Sequence, residues 1–446
     1  VCLDDPGELA CARPVLRWDQ LEAAGAALPD DVAEVVGRIR RTDTAVFIYT
    51  SGTGGVPKGV MLSHGNILSN CAAAHDLLVS LGLGDEVFLS FLPLSHSYEH
   101  TAGLCFPMSI GAQIYYAESV ESLLTNLAEA KPTIMTAVPR LYETIHTRMR
   151  LGLAKQKPLQ QKLFAETLRL GLKRHKEGQR LTPWERVKDW VLERLVRSKV
   201  RQRFGGRLKA FVSGGAALNP DIGWFFQAMG LTLLQGYGQT ESSPVVSANR
   251  PQLVKMPSVG PALAGVTVRI AEDGEILVQG ELVMQGYWQE PDATANAIRD
   301  GWLHTGDIGH VDADGYIFIT DRKKDILVLS GGDNVSPARV EGRLTVEDEI
   351  EQAMVYGDRR PNLVALLVPS KAFAQQYPDP AAAHEAMGKV LDRVNRELSV
   401  IEKVRRFALA PEPFSTENEM LTPTMKIRRH KIKATYGPLL EGLYNK

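Results

Sequence analysis

The chain has 446 residues, 44% of them hydrophobic and 23% charged, with a formal net charge of −1. That length holds two or three domains with ample cores, and the composition is that of a globular protein with no global sign of nucleic-acid binding. Four cysteines, Cys2, Cys11, Cys71 and Cys105, show neither ligand-like nor framework spacing, and no N-terminal signal pattern is present, which fits a reducing, cytoplasmic setting. The least charged long stretch, Thr101 to Ala117, is broken by Gly103, Pro107 and Gly111 and is too polar to span a bilayer.

Residues 1 to 42 are rich in Ala and acidic side chains and predict one short strand, Pro14-Val15-Leu16, and a helix. From 44 to 140, short apolar runs such as Ala45–Ile48, Val87–Phe91 and Thr133–Ala137 alternate with helical stretches. That alternation predicts a parallel α/β sheet. Within it, Ile48 to Val60 reads IYTSGTGGVPKGV, four glycines, four hydroxyls and a lysine between apolar flanks. Glycines let backbone N–H groups approach an anion, and Lys58 adds a point charge, so the stretch predicts a phosphate clamp. The order Lys58-Gly59-Val60 fails the G-K-[ST] nucleotide-triphosphatase pattern. Val60-Met61-Leu62 reads as a second strand rather than the helix of a dinucleotide fingerprint. An ordinary flexible hairpin is the alternative.

Residues 150 to 204 read as helical and basic, with Thr182-Pro183-Trp184-Glu185 as a capping box. Arg148 to Lys209 carries 19 Lys or Arg against 5 Asp or Glu, a net of +14. Leu159, Leu163, Leu168 and Leu172 recur at helical spacing, as do Val187, Val191 and Leu195. Next, Leu208–Val212, a helix opened by Asn219-Pro220 and stopped at Gly230, and Leu231–Leu234 make a βαβ unit, with both strand ends on one ligand-binding rim. Residues 257 to 320 show short strands with Asp273-Gly274 and Asp314-Gly315 turns, a small β subdomain. The charged joint Asp321–Asp325 precedes a compact α+β segment.

Three further clusters carry chemistry. Gln235–Glu241, QGYGQTE, follows a strand: small residues admit a flat ring, Thr240 can donate to a phosphate and Glu241 can bring Mg²⁺ to it. In Gly301–Asp307, GWLHTGD, an Asp on a Gly turn suits the two hydroxyls of a ribose. Leu421–Lys426, LTPTMK, sets a lysine on a Pro-braced loop. Taken singly, each also reads as a capped strand end, a plain turn and a solvated lysine.

In order and spacing these motifs resemble the adenylate-forming superfamily of acyl-CoA synthetases, luciferases and peptide-synthetase adenylation domains, over roughly residues 44 to 446. The resemblance implies an α/β fold: a large N-terminal domain of layered sheets with a small β subdomain (1–321), then a small mobile α+β C-terminal domain (322–446). It implies activation of a carboxylate with ATP and Mg²⁺ to an acyl-adenylate, loss of pyrophosphate, and displacement of AMP by a thiol, usually that of CoA. Thr50, Ser51, Gly52, Thr53, Gly54 and Lys58 would hold the β- and γ-phosphates, Thr240 the α-phosphate and Glu241 the Mg²⁺. Gly214, Gly215, Ala216 and Tyr237 would enclose the adenine, and Asp307 and Arg322 the ribose hydroxyls. His96 matches the residue beside the carboxylate, with a buried, satisfied His as the alternative, and Lys426 the lysine bridging carboxylate and phosphate. Lys324 falls at the hinge, and Ser330-Gly331-Gly332 on the face presented for thioester formation.

The joint DRKKD with SGGDNVSP, and the basic insertion at 150 to 204, look most like long-chain fatty acyl-CoA synthetases. The insertion predicts peripheral contact with the inner face of an anionic membrane, or a solvated helical hairpin. About fifty residues precede the Gly-rich loop, against well over a hundred in the family, so the resemblance implies that most of the first N-terminal subdomain is absent. Two other readings stay open: an adenylating enzyme that loads a free-standing carrier protein, and an inactive truncated scaffold.

Overall fold

The structure, a computed structural model, describes residues 15–50, 57–119, 122–422 and 427–445. The chain falls into two compact units, 1–43 and 44–446. The first carries helices Trp18–Ala26 and Val32–Arg38, and neither buries a residue. Val15 and Leu16 are not in a strand, contrary to expectation, and two helices stand where one was predicted.

The second unit opens with β1 (Thr44–Thr50) and β2 (Lys58–Ser63), paired antiparallel with Thr50 opposite Lys58. The strand–loop–strand reading of the glycine stretch therefore holds. Helix His64–Leu78 follows, capped by Ser63, whose hydroxyl accepts from the Asn66 amide at 3.1 Å. The central sheet contains β3 (Val87–Ser90), β4 (Gln113–Tyr116), β5 (Ile134–Ala137), β6 (Ala210–Ser213), β7 (Leu233–Gly238) and β8 (Val245–Ala248). Their order is β4-β3-β5-β6-β7-β8, parallel throughout except for β8.

Successive side chains of this sheet point to opposite faces. Leu89, Met135, Phe211 and Leu233 join the core on one side, and their neighbours Phe88, Ile134, Ala210 and Leu234 the core on the other. Near-continuous apolar strands are what a sheet covered on both faces requires. Helix Pro220–Ala228 links β6 to β7, with Asn219 as its cap and Gly230 turning the chain at φ +79°. The parallel sheet is as predicted, but β1 is not part of it. β1 pairs instead with β2, the next strand in the chain, and consecutive strands joined by a short connection pair antiparallel.

The basic stretch folds as helices Pro139–Ala154, Pro158–His175, Pro183–Leu192 and Ser198–Arg203. The predicted capping box is present: Thr182 Oγ1 accepts from the Glu185 amide, and Glu185 Oε2 accepts from the Thr182 amide at 2.9 Å. Leu170, Leu181 and Leu192 pack inward, whereas Trp184, Val187, Val191 and Leu195 face outward. Arg197 is buried among these helices. It donates from Nε to Ala228 O at 2.8 Å and from Nη2 to Thr167 O at 3.3 Å, and pairs with Asp189 at 2.8 Å.

Beyond it lie β9 (Thr267–Ile270), β10 (Glu275–Gln279), β11 (Gly286–Tyr287), β12 (Ile298–Arg299), β13 (Trp302–Val311) and β14 (Ile317–Arg322). All but β11 form one antiparallel sheet; β11 pairs with β2 instead. Gly274 and Gly315 take φ values of +83° and +80° in the predicted Asp-Gly turns. The C-terminal part has a hairpin, β15 (Leu327–Val328) and β16 (Asn334–Val335), and a sheet of β17 (Ile350–Tyr356), β18 (Leu363–Pro369) and β19 (Val404–Leu409). Helix Pro337–Leu344 meets the larger part through polar contacts: Arg343 pairs with Asp221 at 2.8 Å, and Asn219 Nδ2 donates to Gly342 O at 2.9 Å. Nearby, Arg150 pairs with Asp348 at 3.1 Å and Arg140 with Glu351 at 3.7 Å.

Arg197→Ala should destabilise the protein by about 3 kcal/mol, because it breaks the buried ion pair with Asp189, leaving that carboxylate only Arg174 at 3.8 Å, and removes the guanidinium bonds to two helix carbonyls. Arg194→Ala, which removes a guanidinium lying 4.1 Å over the exposed Trp190 ring, should change stability by about 0.5 kcal/mol or less. Urea unfolding of the two variants checks the contrast; equal losses would contradict it.

Candidate active site

The functional residues collect where the parallel strands end. Thr50 closes β1 and Lys58 opens β2, so the hairpin register holds them face to face at the mouth of the glycine loop. Ser51, Gly52, Thr53 and Gly54 of that loop, and Lys426, lie outside the described residues.

Next, β7 runs into a single helical turn, Thr240–Ser242. Thr240 is buried and its Oγ1 lies 3.0 Å from Ser97 Oγ. Glu241 Oε1 accepts from the Tyr287 hydroxyl at 2.8 Å. The Lys58 ammonium lies 5.0 Å from the centre of the Tyr287 ring. Tyr287 thus touches both charged residues that flank the expected triphosphate.

On the other side, the Tyr237 hydroxyl donates to Asp307 Oδ2 at 2.6 Å, and Arg322 Nε reaches Asp307 Oδ1 at 3.1 Å. The pairing of β13 with β14 sets Asp307 opposite Arg322, so the ion pair follows from strand register. Burial, and then the Asp307 carboxylate, push the Tyr237 phenol well above its ordinary pKa, so it stays a donor.

Gly214 follows β6, and a Cβ there would lie 2.9 Å from Tyr98 Cζ. Glycine is needed for that approach. Gly215 takes φ +81°, the left-handed region; Ala216 continues the same loop. The hydroxyl of Tyr98 donates to Val212 O at 2.8 Å. His96 caps the short helix carrying Tyr98, its Nδ1 accepting from the Tyr98 amide at 3.2 Å. Glu99, fully buried, accepts from Ser90 Oγ at 2.6 Å and Thr136 Oγ1 at 3.0 Å. Burial raises the Glu99 pKa, against the hydrogen bonds from those hydroxyls and from the Phe91 and Leu92 backbone. Ser97, Tyr98 and Glu99 therefore pin the His96 segment to the Thr240 turn, to β6 and to β3 and β5.

These contacts join Lys58, Glu241, Thr240, His96 and Gly214 into one cluster, and Tyr237, Asp307 and Arg322 into a second that shares the β7 segment. Lys324 lies in the turn after β14, where the Asp325 amide donates to Arg322 O at 2.9 Å. Ser330, Gly331 and Gly332 sit in the exposed turn between β15 and β16; the Ser330 amide donates to Arg360 O at 3.0 Å, and no described contact draws the turn to the cluster. Among the described residues no group of three or more His, Cys, Asp or Glu could hold a metal by itself. A single carboxylate, Glu241, fits Mg²⁺, which is held by one or two carboxylates plus substrate phosphates.

Sequence reasoning did not single out Ser97, Tyr98, Glu99 or Tyr287. Ser97, Tyr98 and Glu99 directly follow His96 in the chain, so their nearness to it is a usable signal. Tyr287, forty-six positions from Glu241, had none.

Comparison with known proteins gives a consistent answer. A sequence model of the AMP-binding enzyme family matches residues 6–288, and one of the AMP-binding enzyme C-terminal domain matches 324–446. A long-chain-fatty-acid–CoA ligase of Mycobacterium bovis is 35% identical over 448 residues, covering 96% of this chain and 74% of that protein. The long-chain-fatty-acid–CoA ligase heimdall of Drosophila melanogaster is 29% identical, covering 96% and 72%. Among solved structures, the A-PCP didomain of carboxylic acid reductase from Segniliparus rugosus, in complex with AMP, superimposes with a TM-score of 0.70 at 25% identity, over 96% of this chain and 57% of that one. The chain belongs to the AMP-binding enzymes, the adenylate-forming superfamily.

Proposed function

We propose that the protein activates a long-chain fatty acid with ATP, forming acyl-AMP and pyrophosphate, and then transfers the acyl group to CoA with release of AMP. The observation that carries this reading is the join between two clusters on one strand end: Tyr237 leads to Asp307 and Arg322, while Thr240 and Glu241, a few residues on, lead to Lys58. A nucleotide laid along β7 would meet a ribose partner at one end and phosphate partners at the other. Two buried polar atoms without a partner among the described residues, Ser213 Oγ and Gln235 Oε1, sit beside Gly214 and Gly236 in the chain. Orphaned polar atoms at such a place call for a ligand or water. The fatty-acid ligases among the relatives support the choice of acid and of CoA.

In this reading Asp307 accepts from the ribose hydroxyls, Arg322 holds Asp307, and Gly214, Gly215, Ala216 and Tyr237 border the adenine. Thr50, Ser51, Gly52, Thr53, Gly54 and Lys58 grip the departing pyrophosphate, and Thr240 donates to the α-phosphate. Glu241 holds Mg²⁺, which neutralises phosphate charge when bound. Lys426 offsets repulsion between the incoming carboxylate and the α-phosphate, so that catalysis is positioning and charge neutralisation without a covalent enzyme intermediate. His96 stands beside the reacting carboxylate. A turn of the C-terminal domain (322–446) at Lys324 then withdraws Lys426 and presents Ser330, Gly331 and Gly332 for the CoA step.

The excess of positive charge from 148 to 209 and the outward Trp184, Val187, Val191 and Leu195 support peripheral contact with an anionic membrane. Among the described residues no helix is long and apolar enough to cross one.

The deciding assay mixes protein, Mg-ATP and palmitate with and without CoA and follows pyrophosphate, AMP and acyl-CoA. Pyrophosphate release that requires palmitate, with acyl-CoA formed only when CoA is added, is the expected result; acyl transfer only to a carrier protein, or no pyrophosphate at all, would refute it. Asp307→Ala should raise the KM for ATP by about 10–150-fold, the equivalent of roughly 1.5–3 kcal/mol for a hydrogen bond to a charged group. Lys426→Ala should slow acyl-adenylate formation by about a hundredfold or more, yet leave acyl transfer from supplied acyl-adenylate to CoA largely intact. Equal loss of both half-reactions would contradict the swinging C-terminal domain.

A further inference from the structure

The short segment Met284–Trp288 touches both phosphate-binding elements through its main chain. The Met284 amide donates to Glu241 O at 2.9 Å, the Gln285 amide to Met61 O at 3.0 Å and the Trp288 amide to Gly59 O at 2.8 Å. One strip of backbone therefore stitches the turn that carries Glu241 to the strand that carries Lys58. Its register sets Tyr287 opposite Val60. Lys58 is two residues from Val60, so it lies diagonally across from Tyr287 on the same face, within reach of a long side chain.

The backbone of Tyr287 is fixed from behind as well. Its amide donates to Thr294 Oγ1 at 2.9 Å. Gly286 takes φ +144°, and a Cβ there would lie 2.7 Å from Thr294 Cγ2, so only glycine lets β11 lie this close to helix Pro291–Ala297. From that anchored position the hydroxyl donates to Glu241 Oε1 and the ring face receives the Lys58 ammonium.

We propose that Tyr287 is a positioning residue for the metal–triphosphate end of the site: its hydroxyl orients the Glu241 carboxylate toward the metal, and its ring seats Lys58. The inference rests on the functional reading above. The hydroxyl can only donate to the Glu241 carboxylate, so the hydrogen bond fixes that side chain from one side. With one carboxylate oxygen engaged by this hydrogen bond, the carboxylate is held in one orientation, the outer-shell arrangement that fixes carboxylate ligands. The cation–π contact does the same for a flexible four-carbon side chain, holding the ammonium without neutralising it. The two halves of Tyr287 thus act on different partners and can be separated by substitution.

Calorimetric titration of the whole chain with ATP, once in excess Mg²⁺ and once in EDTA, tests this. Tyr287→Phe keeps the ring and loses the hydroxyl. It should weaken Mg-ATP by about tenfold, the low end for loss of an outer-shell partner, and leave metal-free ATP binding unchanged. The Mg²⁺ concentration for half-maximal pyrophosphate release should rise by a similar factor. Tyr287→Leu removes the ring too and should weaken ATP in both buffers. Wild-type affinities for Tyr287→Phe in both buffers would overturn the proposal. So would equal losses in both, or a loss accompanied by a lower melting temperature, since a merely structural role would not distinguish metal from no metal. If the unsubstituted protein binds no Mg-ATP, the functional reading falls and this inference with it; if it binds and Tyr287→Phe behaves as the unsubstituted protein does, only the inference falls.

Discussion

A sheet covered on both faces has no room for polar chemistry along its length, and that constraint arranges the rest of the molecule. Phe88, Leu89, Ile134, Met135, Ala210, Phe211, Leu233 and Leu234 fill the two cores in alternation. Charged and hydroxyl groups are then admitted at strand ends, where the chain leaves the cores. Tyr237 lies at the carboxyl end of β7, and Ser97, Gly214 and Thr240 belong to segments leaving the carboxyl ends of β3, β6 and β7. In open α/β sheets that rim is where ligands bind. Here the same rim is approached by two antiparallel sheets, one bringing Lys58 and the other Asp307 and Arg322.

Glu99 shows what holding loops in place at that rim requires. A fully buried carboxyl is unfavourable unless its oxygens are hydrogen-bonded. Ser90 and Thr136 supply hydroxyls from two neighbouring strands, and Gly103 leaves the space, since a Cβ there would lie 2.5 Å from Glu99 Cδ. Two residues earlier, Ser97 meets Thr240. The segment carrying His96 is thereby fastened on three sides by groups that themselves sit on packed strands. A site assembled on such supports keeps its geometry before any ligand arrives.

Much of this was legible in the sequence, for physical reasons that differ by element. The glycine loop, QGYGQTE and HTGD are dense in residues with unusual backbone or polar demands, so they stand out from their surroundings. The Thr182 capping box and the Asp-Gly turns are local, and local chemistry decides them. The apolar run of β1 does not reveal its partner, which in the structure is β2 rather than a strand of the parallel sheet. The partners of Tyr287 and of Glu99 were invisible for a third reason. Each of these two is a lone polar residue whose partners, Lys58 with Glu241 and Ser90 with Thr136, are brought to it by tertiary structure. The outward stripe Val187, Val191 and Leu195 has helical spacing whether it faces a core or solvent, so its period could not disclose its side.

Among the described contacts between helix Pro337–Leu344 with its neighbours and the larger part of the protein are Arg343 with Asp221, Arg150 with Asp348, Arg140 with Glu351, and an Asn219 amide on a carbonyl. All of these ion-paired side chains are partly solvated. Water and salt ions can take the place of each partner as it leaves, whereas parting an apolar seam would strip oil-like surface into water. Heat capacity changes with exposed apolar area. A rotation that opened only such a junction would therefore carry almost no heat-capacity change, and its equilibrium would follow a nearly straight van't Hoff line, shifting with ionic strength far more than its curvature with temperature.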